Sequence, residues 1–487
     1  MIEKIQVNQS NAQTVKVVPI MASLLICGFM GMFSETSLNM ALSGLIKEFN
    51  ISPATAQWVT TSYLLVLGIL IPVSGIFIRR FRTKKIFIMG ITFFILGLVI
   101  AATSSTFKVL LVGRIIQATG TGLLTPLLFN TVLVIFPPQK RGTAMGIVSL
   151  VMMFAPATGP IISGLVIQYF NWHLIFLIPI PLLMISLLLG LGHLIDLSRE
   201  QKPRIDLISI VLSSLGFGGL VFGFSHAGEA DVGWMSWEVL GSLLIGILAM
   251  IFFVLRQMTI KEPILNVRVF KQPMFVLGIS LTVLSNMIIF SSNLLLPMYM
   301  QGGLGFSSAQ AGLLLLPGGI LNGIMAFING RIFDKYGPRW LVIPGFMMGT
   351  IATLVFAHIS STTHSLTIII FYTILMIGMS MITTPSQSNG LNQLDRSLYP
   401  DGSAIINTTI QTSGAIGTAI AVSILNANQH ASLNQIREPL TSTLQVKSLI
   451  FGIQHAYLFT TIVAVIGLFC SLLIKRVLVE KVQQTIH

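Results

Sequence analysis

Two charged side chains in this sequence fall where charge is most costly. Glu35 and Arg114 each lie inside an apolar run long enough to cross a bilayer, at about 17–43 and 108–135. An ionisable group at membrane depth costs at least about 2.5–3.5 kcal/mol, so it must face a protein interior or water. Of the 15 Asp and Glu residues, Glu35 is the one acid deep in such a run. A carboxylate there can carry a proton, because burial favours the neutral acid and a nearby cation favours the ionised one. Alternate exposure to the two sides of a membrane would load the proton on one side and discharge it on the other. The same carboxylate could bind Na⁺, attract a cationic ligand, or simply hydrogen-bond a neighbouring helix. Arg114 could tune Glu35, or be a structural guanidinium bonded to backbone carbonyls. Asn39 follows Glu35 by one turn and shares its face, and Gln117 follows Arg114 by three residues.

The elements that must position these groups are membrane helices. Of 487 residues, 54% are hydrophobic and 9% charged, and the mean hydropathy is +0.87. A soluble domain carries about 25% charged residues. Long apolar runs in lipid must be helical, since open strands would leave backbone groups unpaired. The segments of about 10 alternating residues that a β-barrel needs are absent. Fourteen spans are expected, at about 17–43, 56–78, 86–104, 108–135, 143–168, 174–194, 207–225, 237–255, 274–300, 309–329, 340–358, 365–386, 403–427 and 455–474. Cys27 and Cys470 lie far apart in apolar segments, which suits small buried hydrophobes and not a disulfide framework or metal site.

With the N-terminus in the cytoplasm, almost all of the 28 Lys and Arg fall on the cytoplasmic side. The exceptions are Lys47, Lys108, Arg437 and Lys447 outside and Arg114 within a span. This positive-inside bias places both termini in the cytoplasm and accounts for the net charge of +13 without nucleic acid. GIFIRRFRTKK at 75–85 follows the second span and GRIFDKYGPR at 330–339 follows the tenth. This repeat divides the chain into a six-helix unit (1–200), a two-helix insert (201–268) and a second six-helix unit (269–487). Parallel repeats of this kind occur in secondary transporters.

The sequence resembles the fourteen-span drug:proton antiporters of the major facilitator superfamily, the EmrB/QacA group, over almost its full length. The first half carries the resemblance in ETSLNMAL (35–42), WVTTSYLL (58–65), GIFIRRFRTKK, RIIQATGTG (114–122) and APATGPIISG (155–164). The second half carries it in LPMYMQGGLGFSSAQAGLLLLP (296–317), GRIFDKYGPR and GSAIINTTIQTSGAIGTAIA (402–421). The resemblance implies an all-α major facilitator fold with six, two and six helices. It implies a monomer in the plasma membrane of a bacterium, exporting lipophilic cationic, zwitterionic or neutral molecules in exchange for protons. Pro156, Gly159, Pro160 and Gly164 match the family's antiporter motif, expected to hinge the two halves; plain small-residue packing is the alternative. Gly75, Arg79, Arg80, Gly330, Asp334 and Arg339 match the family's cytoplasmic gate. There Arg79 replaces the usual acid and cannot accept its hydrogen bonds. Arg79 could instead pair with Asp395 or Asp401 of the other half, leaving Asp334 to carry more of the closure; all the cations could also serve only to anchor the loop.

Candidate cavity residues, besides Asn39 and Gln117, are Tyr63, Met152, Phe154, Asn286, Phe290, Asn293, Asn322, Asn407 and Gln411. Met and aromatic side chains adapt to varied apolar ligands, though packing or lipid contact suits them equally. No acid stands in the tenth span, so a single deep carboxylate suggests one proton per cycle. No Walker loop and no metal-ligand spacing of histidines occurs in the sequence. An enzyme is therefore not expected, no cofactor is called for, and an ion gradient, of protons or of Na⁺, must supply the energy. Composition leaves open an exporter of an endogenous metabolite, lipid or siderophore, and less readily a passive channel.

Overall fold

The computed structural model describes residues 16–136, 138–196, 206–227, 233–260, 263, 265–395, 398–434 and 442–477. Among these are fourteen long helices and no strand. They are α1 (Val17–Ser37), α2 (Pro53–Arg80), α3 (Thr83–Ala102), α4 (Phe107–Ile135), α5 (Pro138–Tyr169), α6 (Pro179–His193), α7 (Leu207–His226) and α8 (Trp237–Thr259), then α9 (Pro273–Met298), α10 (Ser308–Tyr336), α11 (Arg339–Phe356), α12 (Ser365–Asn392), α13 (Tyr399–Asn434) and α14 (Ser442–Ser471). Thirteen helical segments among the described residues are long and apolar enough to cross a membrane. The remaining expected span, 143–168, falls in α5, some of whose side chains lie outside what is described.

Local chemistry sets several boundaries. Ser52 precedes Pro53 and accepts the Thr55 amide, capping α2; Ser307 and Gln310 form a reciprocal capping box on α10. Both satisfy amides that a helix start leaves bare. Gly337 ends α10 at φ 81°, a left-handed turn that glycine enters without steric cost. At the far end of α1 the chain tightens into a 3₁₀ turn, Leu38–Met40, then a short helix, Leu42–Phe49. At the far end of α9 it widens into a π turn, Tyr299–Gly303.

Two hydrophobic cores form. One joins Ile20, Leu24, Phe87, Phe94, Leu124, Leu128 and Leu183 of the first six helices. The other joins Leu281, Ile288, Phe346, Phe356, Val422 and Tyr457 of the last six. The inserted pair α7–α8 turns many large apolar side chains outward, among them Leu244, Ile247, Ile251 and Phe252, as lipid requires. Its inner side lies across the seam between α2 and α13. There Val221 clusters with Leu64 and Ala415, and the Ser423 hydroxyl donates to the Ala227 carbonyl at 3.3 Å. Asp206 clamps the basic end of the pair, accepting two hydrogen bonds from Arg256 at 2.7 and 2.8 Å. These bonds hold its carboxyl down at about 2.

One expectation needs correction. The segment 428–454, which falls between the expected spans 403–427 and 455–474, is helical over its described residues. α13 runs on to Asn434 and α14 already begins at Ser442. Hydropathy reports where lipid contact stops, not where backbone hydrogen bonding stops, so polar helical extensions escape it.

Candidate functional site: a buried carboxylate at the seam

Glu35 lies near the end of α1 and is 4% exposed. Its Oε2 has no hydrogen-bond partner among the described residues. The Gln411 side chain of α13, from the opposite half, is the hydrogen-bonding neighbour of its carboxyl, and Arg114 is the nearby charge. Glu35 is therefore placed at the seam, sensed by both halves.

Arg114 is fully buried on α4. Its Nε donates to the Val59 carbonyl (3.1 Å), and its Nη1 donates to the Ser34 carbonyl (3.1 Å) and to Gln117 Oε1 (2.8 Å). The guanidinium lies 4.2 Å from the centroid of the Tyr63 ring, an attraction that grows when water is excluded. The Tyr63 hydroxyl in turn donates to the Gly31 carbonyl (3.1 Å) and pairs with Thr121 (2.8 Å). Arg114 thus grips the backbone immediately before Glu35 without bonding its carboxylate, and Nη2 keeps spare capacity. Gln117 Nε2 and Gln411 Oε1 are likewise buried without a partner among the described residues. A buried polar atom left unpaired in lipid is costly.

The proline-glycine stretch of α5 packs on both sides of this site. Pro160 lacks the N–H that would bond the carbonyl four residues back, and the Thr36 hydroxyl donates to that Pro156 carbonyl at 3.4 Å. A Cβ on Gly159 would collide with the same hydroxyl, and one on Gly164 would collide with the Ser308 carbonyl of α10. Gly312 of α10 faces the Pro160 carbonyl, where a Cβ would stand 2.7 Å away. Cross-half hydrogen bonds join the same end of the bundle. Gln301 in the π turn donates to the Met40 carbonyl (3.2 Å), and Ser307 donates to Gln168 (3.1 Å). The two halves are thus sealed at the end away from the basic loops.

The other expected residues are dispersed. Asn39 accepts from Thr60 at 3.3 Å. Tyr63 and Gln117 belong to the Arg114 network inside the first half. Met152 packs over Gly28 and Phe290 over Gly414, while Phe154 is 45% exposed. Asn286 and Asn407 turn back on their own helices, to the Thr282 and Ser403 carbonyls. Asn293 and Asn322 both reach α12: Asn293 accepts from the Tyr372 hydroxyl (3.1 Å), and Asn322 donates to the Met376 carbonyl (2.8 Å). At the basic end, Gly75 and Arg80 stand at the end of α2, Gly330 in α10 and Arg339 at the start of α11. Arg80, Asp334 and Arg339 are exposed. The side chain of Arg79 lies outside what is described, so its pairing with Asp395 or Asp401 does too. Asp401 accepts the Asn266 amide at 3.2 Å. The turn after α10 is held instead by Arg476, which donates to the backbone carbonyls of Asp334 (2.5 Å) and Lys335 (3.1 Å).

Sequence reasoning missed Thr36, Thr121, Gln301 and Tyr372. Of these, Thr36 had a usable signal, since two prolines in one span announce freed carbonyls that some hydroxyl must satisfy.

The profile of the Major Facilitator Superfamily matches residues 24–418. The lincomycin resistance protein LmrB of Bacillus subtilis is 53% identical over 469 residues, covering 96% of this chain and 98% of its own length. LmrB of Listeria monocytogenes is 51% identical, covering 97% of this chain and 99% of its own length. Among solved structures, a bacterial homolog of the human lysosomal transporter Spinster, inward-facing and occupied, superposes with a TM-score of 0.66 at 15% identity, covering 96% and 99% of the two chains. A POT family transporter superposes with a TM-score of 0.67 at 14% identity, covering 93% and 94%. With the family profile matching most of its length and relatives alike from end to end, this chain belongs to the Major Facilitator Superfamily.

Proposed function

We propose that this chain is a monomeric proton-coupled antiporter of a bacterial plasma membrane that exports lipophilic small molecules, lincomycin among them. The observation that carries this reading is Glu35: a buried carboxylate at the seam, neighboured from the second half by Gln411 and from the first by Arg114. The lincosamide assignment rests on the full-length relatives. The basic end is cytoplasmic by the positive-inside rule, so the sealed end is external and the arrangement corresponds to an inward-facing state. Substrate enters from the cytoplasm or inner leaflet. Separation of α5 from α10 at the external end, with the Gln301–Met40 and Ser307–Gln168 bonds broken, then opens the site outward. An external proton neutralises Glu35, the substrate leaves, and return to the inward state discharges the proton. Alternating access of this kind needs two arrangements of one seam, and small residues at 159, 164 and 312 permit the close one.

The test is purified protein in liposomes with an imposed pH gradient. Lincomycin should move against its own gradient when a pH gradient is present and stop when a protonophore collapses it. Transport that ignores the pH gradient, or that follows a Na⁺ gradient instead, would overturn the reading.

A further inference from the structure

The two halves of the chain also bring two polar pairs into near register. Arg114 and Tyr372 occupy the same position counted from the starts of α4 and α12, Phe107 and Ser365. Asn293 precedes Tyr372 by 79 residues, and Glu35 precedes Arg114 by the same interval. Glu35 stands three residues before the 3₁₀ turn after α1 and Asn293 six before the π turn after α9, within one turn of helix of the same register. Where the first half holds an acid and a guanidinium, the second half holds an amide and a phenol, and these two are hydrogen-bonded at 3.1 Å.

The surroundings of the second pair are polar and uncharged. Ser291, Ser292 and Tyr457 have buried hydroxyls without hydrogen-bond partners by geometry among the described residues, and Tyr457 neighbours both Ser292 and Tyr372. Asn293 is partly exposed, whereas Tyr372 and Tyr457 are buried. A set of hydroxyls and an amide with unused donors and acceptors suits a neutral polar ligand group. It cannot hold an ion as Glu35 can.

We propose that Asn293 and Tyr372 are the second half's uncharged copy of the Glu35–Arg114 pair, and that they bind hydroxyl or amide groups of the exported molecule. The first half then carries the proton and the second reads the substrate's neutral polar groups. This rests on the proton-antiport reading above and deepens it. Tyr372 shifts its hydroxyl between Asn293 when empty and a substrate acceptor when loaded.

Two variants in proteoliposomes test this, with lincomycin as probe and the proton-to-lincomycin count taken from the reversal of transport. Tyr372→Phe keeps the ring that packs beside Gly318 and removes one hydroxyl. KM for lincomycin should rise about twofold to tenfold, the range of one hydrogen bond, while kcat and the proton count stay at wild-type values. An unchanged KM, or equal losses in KM, kcat and thermal stability, would overturn the assignment. Asn293→Asp places an acid at the site equivalent to Glu35 and should raise the proton count by one. An unchanged count, or loss of transport altogether, would overturn the equivalence. Absence of proton coupling in the wild-type protein would instead refute the antiport reading, leaving the Tyr372→Phe effect on KM to be judged by itself.

Discussion

Replacing Arg114 by leucine removes the donor to three buried acceptors at once: the Val59 and Ser34 carbonyls and Gln117 Oε1. Each acceptor left bare costs about 1–3 kcal/mol, and the Tyr63 ring loses a desolvated cation contact of about 2 kcal/mol. Against this, the leucine escapes the cost of burying a charge. Breaking a buried charge network from one side typically nets about 3–5 kcal/mol. For a chain of this length such a loss corresponds to a fall of about 3–5 °C in melting temperature, read by thermal unfolding of the detergent-purified protein. Arg114→Lys should fall by less, since an ammonium keeps the charge but cannot fork to carbonyls on two other helices. An Arg114→Leu protein melting within about 1 °C of wild type would refute the view that this guanidinium holds α1 and α2 to α4.

Gly164→Leu should leave the protein inserted but abolish lincomycin transport, because the side chain would meet the Ser308 backbone and keep α5 from closing on α10. Cysteine labelling from the external side should show the site more accessible than in wild type, and unchanged labelling with normal transport would contradict this. Asp206→Asn should lower the melting temperature at neutral pH by freeing the basic end of the insert. Because Arg256 draws the Asp206 carboxyl from an ordinary 3.8 down to about 2, its stabilisation is complete above about pH 4 and fades as pH falls toward 2. The gap between variant and wild type should shrink over that interval, which melting curves at a series of pH values would reveal.

Much of this arrangement was legible in the sequence because lipid imposes simple rules. Glu35 and Arg114 stand out since nothing else charged occurs at depth, and the fourteen apolar runs fall on the fourteen long helices. Partnerships across long sequence distances were not legible. Nothing in the local pattern tells that Gln411 approaches Glu35, or that Arg114 grips the Ser34 carbonyl beside the acid instead of the acid itself. Tyr63 reads from sequence as a cavity residue because aromatic side chains adapt to varied apolar ligands. In the structure its hydroxyl and ring are both engaged, by Gly31, Thr121 and Arg114. The end of α13 and the start of α14 escaped hydropathy because polar residues there continue the helix beyond the apolar run.

The central claim is that Glu35 is the group that exchanges a proton for substrate. It is tested most directly by mixing lincomycin with purified protein in weakly buffered detergent containing a pH indicator. Wild type should release a proton as lincomycin binds, in amounts that saturate with binding, while Glu35→Gln should still bind and release none. Equal proton release from the two proteins would contradict the account.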